Sequence, residues 1–495
     1  MKLTVNGELS SYYVQTLLLL WFPGEKFPEH SEGEKVFFEI SAGAENGEAW
    51  ARARICGEGK CESAEARQGR IEDYPVSEDR LVKLAAGRAV WDCAGRYTGN
   101  KSPWGILTGV RPAKVASEIF SYGADEKRAV QLLRDLYLVS PGKAALCTGV
   151  SLAESALVTP QSRRTCSVYI AIPFCPSRCA YCSFVSFTSP GLLKLIPEYL
   201  TALAGDIEFI FGEIERYGLS VSDIYVGGGT PTVLSTQQLD FLLSVIGKGA
   251  AGHNISEFTV EAGRPDTITE EKLACLASHG VSRISVNTQT LNDGILRAIG
   301  RAHTAGDFFR AYETAVSSGI PDINVDLIAG LPGESAESSV ESARRVAALC
   351  PSNLTVHSFS VKKSSYLKSE GVYDSVGEEA ARAVDGMHSI AYGGGYRPYY
   401  MYRQKNTVGN LENVGFSLPG HECMYNIYMM EEIHTVFAAG ASSVTKLVKH
   451  GENAADIRRI FEAKYPYEYL RAHSPEMIGE RRRAFRETEE EFFGK

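Results

Sequence analysis

Fourteen residues of this 495-residue chain, AIPFCPSRCAYCSF at 171–184, hold three cysteines spaced C-x3-C-x2-C: Cys175, Cys179 and Cys182. Thiolates are the form of cysteine that binds metals, and three of them on one short loop repel unless something cationic sits among them. The spacing therefore predicts an inorganic centre. Structural zinc takes four protein ligands, commonly as two C-x2-C pairs, and no fourth Cys or His occurs within ten residues after Cys182. A 4Fe–4S cube suits thiolates at these short gaps better. Three ligands leave one iron open, and an open iron can take a substrate or cofactor. On this reading Cys175, Cys179 and Cys182 are both the metal ligands and the catalytic residues.

Further along, several residues have chemistry that their types alone leave ambiguous. GGGTPT at 227–232 contains glycines that can take φ > 0 and let a backbone approach a ligand closely, and the same residues make an ordinary tight turn. Glu261 in TVEAGRP reads equally as a strand-end carboxylate. Gln289 in SVNTQTLN reads as part of a helix-capping turn, and Arg301 in AIGRAHT as a surface charge. Asp326, inside INVDLIAGLPGES, is less ordinary, because a carboxylate in a buried strand needs a partner. Ser360 carries the least chemistry of the set. His303 reads as a packed or surface histidine, whereas His357 alternates along its strand so as to face an interior and is a candidate proton donor.

These residues need elements to position them. From 167 onward the chain repeats a strand and a helix: strands at 167–174, 223–228, 257–262, 283–288, 323–330 and 354–361, with helices between and after them, the last near 377–393. Six such units, with mostly continuous apolar strands, predict an α/β fold with a parallel sheet buried on both faces. A partial (β/α)6 barrel is the expected form, and a doubly wound open sheet is the alternative. Both place chemistry at the C-terminal ends of the strands. The cysteine loop follows the first strand, and Glu261, Gln289 and Ser360 end the third, fourth and sixth.

The flanks differ. Residues 1–160 mix strand-like runs (KLTV, KVFFEI, AWARARI) with helical stretches and read as a separate α+β domain of unassigned role, with the barrel at 161–395. Residues 396–495 read as a small lobe over the substrate, with TVFAAGASSVTKLV as a strand pair and ERRRAFRETEEEFFGK as a charged, solvated helix. The net charge of −9 disfavours a broad nucleic-acid surface. The longest early apolar run, LLLLWF at 17–22, is too short to span a bilayer, and no signal-peptide pattern precedes it, so a cytoplasmic protein is expected. Its eleven cysteines then read as thiols or ligands rather than disulfides, with Cys56 and Cys61 a weak metal pair.

C-x3-C-x2-C with an aromatic, Tyr181, before the third cysteine resembles the radical S-adenosylmethionine (SAM) superfamily. The strand YIAIPFC narrows the resemblance to the oxygen-independent coproporphyrinogen III oxidases and their haem-chaperone relatives, in the longer form with an N-terminal extension. The resemblance implies a 4Fe–4S cluster and SAM as cofactors. It places Tyr169, Tyr181, Gly228, Gly229, Thr230, Glu261, Gln289, Arg301, Asp326 and Ser360 around SAM, with acidic and amide groups on the ribose hydroxyls and the arginine on the carboxylate. It further implies oxidative decarboxylation of porphyrinogen propionates to vinyl groups, and a reduced flavodoxin- or ferredoxin-type donor. Tyr399, Tyr400, Tyr402, Arg397, Arg403 and Lys405, with Lys362 and Lys363, then read as a platform for a flat tetrapyrrole and its carboxylates. The oxidases usually carry a further cysteine two residues after the third. This chain has Phe184 there, and the haem-chaperone relatives also lack that cysteine. A haem-binding or haem-transfer protein is therefore the alternative function.

Overall fold

The computed structural model describes residues 1–28, 35–182, 186–360, 376–404, 407–451 and 455–494. The chain forms two units: Met1–Ala153 with Met401–Glu412, and Glu154–Tyr400 with Asn413–Lys495.

The first unit is built on β1 (Lys2–Gly7), β2 (Val36–Glu45), β3 (Glu48–Gly57) and β4 (Lys60–Gln68), ordered 1-2-3-4, with α1 (Ser11–Leu18) between the first two strands. β1 runs parallel to β2, and the other pairs are antiparallel. The strands alternate: Phe38, Ile40, Ala51, Ala53 and Ile55 are buried, while Phe37, Arg52 and Arg54 face out. The buried face packs on α2 (Glu78–Thr98), whose Leu81, Leu84, Ala85, Val90 and Cys93 are inaccessible. α3 (Ala113–Ser121), α4 (Glu126–Tyr137) and α5 (Pro141–Leu157) follow. Cys56 and Cys61 are not a metal pair. They sit opposite each other across the β3–β4 hairpin, Cα atoms 4.2 Å apart, and are joined as a disulfide. The tight turn Gly57–Lys60 brings them together, and four intervening residues in sequence do not announce that.

The second unit carries the site. β5 (Thr165–Ile172) leads to α6 (Pro190–Leu193) and α7 (Ile196–Arg216). β6 (Ser220–Gly228) with α8 (Thr236–Gly249), β7 (Glu257–Val260) with α9 (Glu270–Ser278), and β8 (Arg283–Ser285) with α10 (Asp293–Ala298) and α11 (Ala305–Ser317) continue the alternation. β9 (Asp322–Ala329) with α12 (Ala336–Ala347), and β10 (Asn353–Ser358) with α13 (Val376–Gly393), complete six units. These strands lie side by side in chain order and all parallel, the arrangement expected of a partial (β/α)6 barrel. β5 and β10 do not pair with each other, so the sheet stays open. The helices begin where the sequence supplies caps: Ser235 with Gln238 opens α8, and Thr304 with Asp307 opens α11, each as a reciprocal capping box.

β11 (Arg397–Arg403), β12 (Glu412–Ser417), α14 (Met424–Met430), β13 (Thr435–Ala439), β14 (Val444–His450), β15 (Ala455–Phe461), α15 (Pro466–Ala472) and α16 (Ile478–Phe493) follow. The expected strand pair at TVFAAGASSVTKLV is β13 and β14, and both belong to the central sheet. β13 adds parallel to β5, and β12 adds antiparallel to β10. Among the described residues no helix is long and apolar enough to cross a membrane.

The charged terminal helix is solvated on one face only and docked along the other. Arg481 of α16 forms ion pairs with Asp206 (2.7 Å) and Glu462 (2.8 Å), Arg486 pairs with Glu213 (2.7 Å), and Phe485 and Phe492 are buried. Burial opposes ionisation of Asp206, but the bonds from His473 and Arg481 prevail and bring its carboxyl down to about 2. Asp206 and Glu213 lie on α7, more than 260 residues earlier, so the pattern within the tail gives no sign of them. Replacing Arg481 by alanine removes the cation shared by buried Asp206 and half-buried Glu462. The expected loss is about 3 kcal/mol of second-unit stability, read as a lower thermal midpoint, whereas alanine at exposed Arg483 leaves the midpoint unchanged.

Candidate active site

The cysteine loop leaves β5 at Ile172 and is fastened at both ends. Cys175 N–H donates to Phe187 O (3.1 Å), and Phe187 N–H to Pro173 O (2.8 Å). The end of β6 holds it from one side, with Gly229 N–H on Ile172 O and Thr230 N–H on Phe174 O, both 2.8 Å. A Cβ at Gly229 would lie 2.5 Å from Phe174 O, so only glycine permits this approach. The loop after α10 holds it from the other side: Ala180 N–H reaches Ile299 O at 2.9 Å, and Gly300, at φ +78°, passes where a Cβ would meet Arg178 O at 2.9 Å. The glycine-rich stretch thus grips the cysteine loop, and the N–H groups of Gly229 and Thr230 are engaged there.

Cys175 and Cys179 are buried, and Cys182 is half-buried. Burial pushes the Cys175 thiol up; the Thr230 hydroxyl, 3.3 Å from its sulfur, opposes that, and neighbouring Cys182 and Cys179 add to it. Such thiols become thiolates only when a metal neutralises them. The loop offers three sulfur donors, the ligand type of an iron–sulfur cluster.

Around the loop the strand ends converge. Arg301 is buried and donates to Asn287 O (2.6 Å), Gly263 O (3.2 Å) and Tyr181 Oη (3.1 Å), while its Nε has no hydrogen-bond partner. Gln289 takes φ +73°, unusual for a side chain of its kind, fixed by its N–H on Asp326 O (3.0 Å) and by Ile328 N–H on its own carbonyl (2.9 Å). Its side-chain oxygen is buried and unpartnered, which marks it as an acceptor for a ligand hydroxyl or amine. Asp326 accepts from Asn287 Nδ2 (2.8 Å) and Asn324 Nδ2 (2.7 Å), with His357 Nε2 at 3.7 Å. Burial opposes its charge, but the His357 and Asn324 contacts prevail and hold its carboxyl below the usual range. His357 is held above the usual imidazole range by the same pair, against the effect of burial.

Glu261 accepts from Tyr225 Oη at 2.7 Å. Desolvation raises its carboxyl to about 7, the Tyr225 bond opposing and nearby Asp326 adding to the rise. Tyr225 stacks on Tyr169 and Tyr425, centroids 6.1 and 4.5 Å away, so Tyr169 joins an aromatic column. Ser360 lies two residues beyond β10. Cys175, Cys179, Tyr181, Thr230, Gly229 and Arg301 are therefore linked around one loop, and Glu261, Tyr169, Gln289 and Asp326 line the neighbouring strand ends.

The basic cluster behaves differently. Tyr399 and Tyr400 are buried in β11 rather than displayed on a loop. Arg403 belongs to the first unit, where it is 7% exposed, lies over Trp104 and donates to Leu107 O and Asn410 O. Burial lowers its guanidinium to about 10. With these donors engaged in structure, it is not positioned for a ligand carboxylate. Arg397 is exposed and bonds Tyr396 O. His303 is buried, neither ring nitrogen has a hydrogen-bond partner, and burial lowers it to about 4. Lys362, Lys363, Lys405 and Phe184 lie outside the described residues. Sequence reasoning missed Arg264, which reaches Cys179 Sγ at 3.6 Å, and Asn287, which serves both Asp326 and Arg301. A buried arginine in a loop gives no local signal.

Residues 169–346 match the radical SAM superfamily. The chain is 39% identical over 357 residues to the "Oxygen-independent coproporphyrinogen-III oxidase-like protein HemZ" of Bacillus subtilis, covering 71% of each. It is 32% identical over 310 residues to the "Heme chaperone HemW" of the same organism, covering 61% of this chain and 77% of that one. A solved structure of the coproporphyrinogen III oxidase HemN of Escherichia coli aligns at TM-score 0.49 with 20% identity, over 65% of this chain and 71% of that one.

A carboxyl raised to about 7 binds its proton more tightly folded than unfolded. Its contribution favours the folded state below the unfolded value near 4.3 and is lost as pH rises towards 7. Glu261→Gln removes this dependence. The variant's melting temperature relative to wild type is expected to rise between about pH 4 and pH 8, most of the rise falling between about pH 4.3 and 7, checked by calorimetry across that range.

Proposed function

The chain belongs to the radical SAM superfamily, in the family of the HemZ- and HemW-type proteins, whose members use a 4Fe–4S cluster and SAM, and on that footing we propose that it is an oxidoreductase converting propionate side chains of coproporphyrinogen III to vinyl groups. The observation that carries this reading is the 39% identity to an oxidase-like relative across 71% of each chain, joined to a cysteine loop gripped by the surrounding strand ends. Each propionate would lose one hydrogen atom, one CO2 and one further electron. When bound, the cluster and SAM supply the one-electron cleavage chemistry that removes the hydrogen atom.

The chain's own residues hold and orient. Cys175, Cys179 and Cys182 hold the cluster, and Thr230 and Arg264 fix two of those side chains. Gln289 Oε1 and Glu261 offer acceptors to ribose hydroxyls. Arg301 turns its unpartnered Nε and its charge towards a carboxylate. The Asp326–His357 pair holds a proton on the imidazole, available to a substrate at the mouth of β10. The Tyr169–Tyr225–Tyr425 column excludes water from one wall. A flavodoxin- or ferredoxin-type donor would supply the electrons.

A second reading is supported by the 32% identity to the HemW chaperone and by Phe184 in place of a further cysteine: a haem-transfer protein that keeps the cluster and lacks oxidase activity. Anaerobic protein supplied with iron and sulfide is expected to hold about four of each per chain. With coproporphyrinogen III, SAM and a reductant it should release CO2 and give the vinyl product, followed by chromatography. Stable haem binding without product would select the second reading, and zinc without iron would defeat both. Cys179→Ala should abolish the brown colour and SAM cleavage together, and retained cleavage would remove that residue from the ligand set.

A further inference from the structure

We propose that Arg264 is a positioning residue that raises the reduction potential of the cluster, with Asp266 acting against it. The proposal rests on Cys175, Cys179 and Cys182 being the cluster ligands. Arg264 follows β7 in the GRPDT turn and is 3% exposed. One edge of its guanidinium takes the carboxylate of Asp266 in a two-pronged pair, Nε to Oδ1 at 3.0 Å and Nη2 to Oδ2 at 3.1 Å. The other edge lies on the cysteine loop. Nη2 donates to Ser177 Oγ (2.9 Å), and Nη1 donates to Ser177 O (3.3 Å) and to Cys179 Sγ (3.6 Å). A planar fork with donors on both edges can do this, and a lysine cannot.

The arrangement has an electrical consequence. An N–H bond to a ligand sulfur draws electron density from it, and positive charge in a dry place favours the more reduced, more negative cluster. The two ends of the Arg264–Asp266 pair are not equally screened. The guanidinium side chain is 4% exposed and the carboxylate 25%, so water weakens the negative end more than the positive end facing Cys179. Arg301 also acts on Cys179 by its charge, but its Nη groups donate to Asn287 O, Gly263 O and Tyr181 Oη and its Nε has no partner, so it supplies field without an N–H bond to sulfur. Arg264 therefore both pins the loop through Ser177 and supplies the hydrogen bond that eases the electron's entry.

The two partners predict shifts of opposite sign, which a purely structural role would not produce. Full-length reconstituted protein, wild type, Arg264→Gln, Arg264→Lys and Asp266→Asn, is titrated with dithionite and mediators and read by low-temperature EPR, with iron content measured on each sample. Arg264→Gln should keep its four irons and titrate at a more negative potential. Asp266→Asn, which frees the guanidinium charge, should titrate at a more positive one, and Arg264→Lys should fall between wild type and Arg264→Gln. Wild-type potentials in the Gln and Asn variants, or shifts of both in one direction, overturn the proposal. If Arg264→Gln fails to hold the cluster, Asp266→Asn decides alone: a positive shift supports the proposal and no shift overturns it. A wild-type protein without a four-iron cluster refutes the ligand reading, and the proposal falls with it.

Discussion

As the proposed cluster ligands, Cys175, Cys179 and Cys182 would crowd three thiolates onto one largely buried loop, a charge the protein must balance, and two buried cations of the second unit face that loop. Burial alone pushes Cys175 towards its neutral thiol. Two buried guanidinia, Arg264 and Arg301, come from the ends of β7 and the turn after α10 to face the loop. Neither can enter so dry a place without partners. Arg264 has Asp266 and Ser177; Arg301 has the carbonyls of Asn287 and Gly263 and the Tyr181 hydroxyl. The cations are thus held by the same strand ends that grip the loop, and loop position and loop charge are set together.

This gives the parallel sheet a clear function. A loop on the mouth of β5 can be touched by the mouths of β6 and β7 and by the turn following α10, because parallel strands deliver all their C-terminal ends to one side. Gly229 and Gly300 allow two of these approaches at distances a Cβ would forbid. Farther round, Gln289 with its left-handed backbone and bare oxygen, and Asp326 with Asn287, Asn324 and His357, continue the polar lining. The opposite end of the sheet is closed by structural ionic groups: Arg283 lies between Glu257 and Asp322.

What was legible in the sequence was local. The cysteine spacing is a short-range pattern, and the strand–helix alternation depends on apolar runs a few residues long, so the loop and all six parallel strands could be read directly. Asp326 was legible as a residue needing partners, because a carboxylate in an apolar run is anomalous wherever it occurs. What stayed hidden depended on pairing across the chain. Arg264 meets Cys179 across 85 positions, and Arg403 meets Leu107 across 296, so one read as unremarkable and the other as a ligand-binding charge. Arg481 of the tail finds Asp206 275 residues earlier, which turned an apparently solvated helix into a docked one. GGGTPT was legible as a close-approach turn, but its neighbour proved to be the cysteine loop's own carbonyls.

The central claim is that Cys175, Cys179 and Cys182 hold a 4Fe–4S cluster whose fourth iron is open to SAM. Low-temperature EPR of dithionite-reduced protein, recorded before and after adding SAM, tests it most directly. The account predicts a reduced cubane signal whose g values change when SAM binds. A cubane signal that SAM leaves untouched, or no such signal in protein loaded with iron and sulfide, would contradict it.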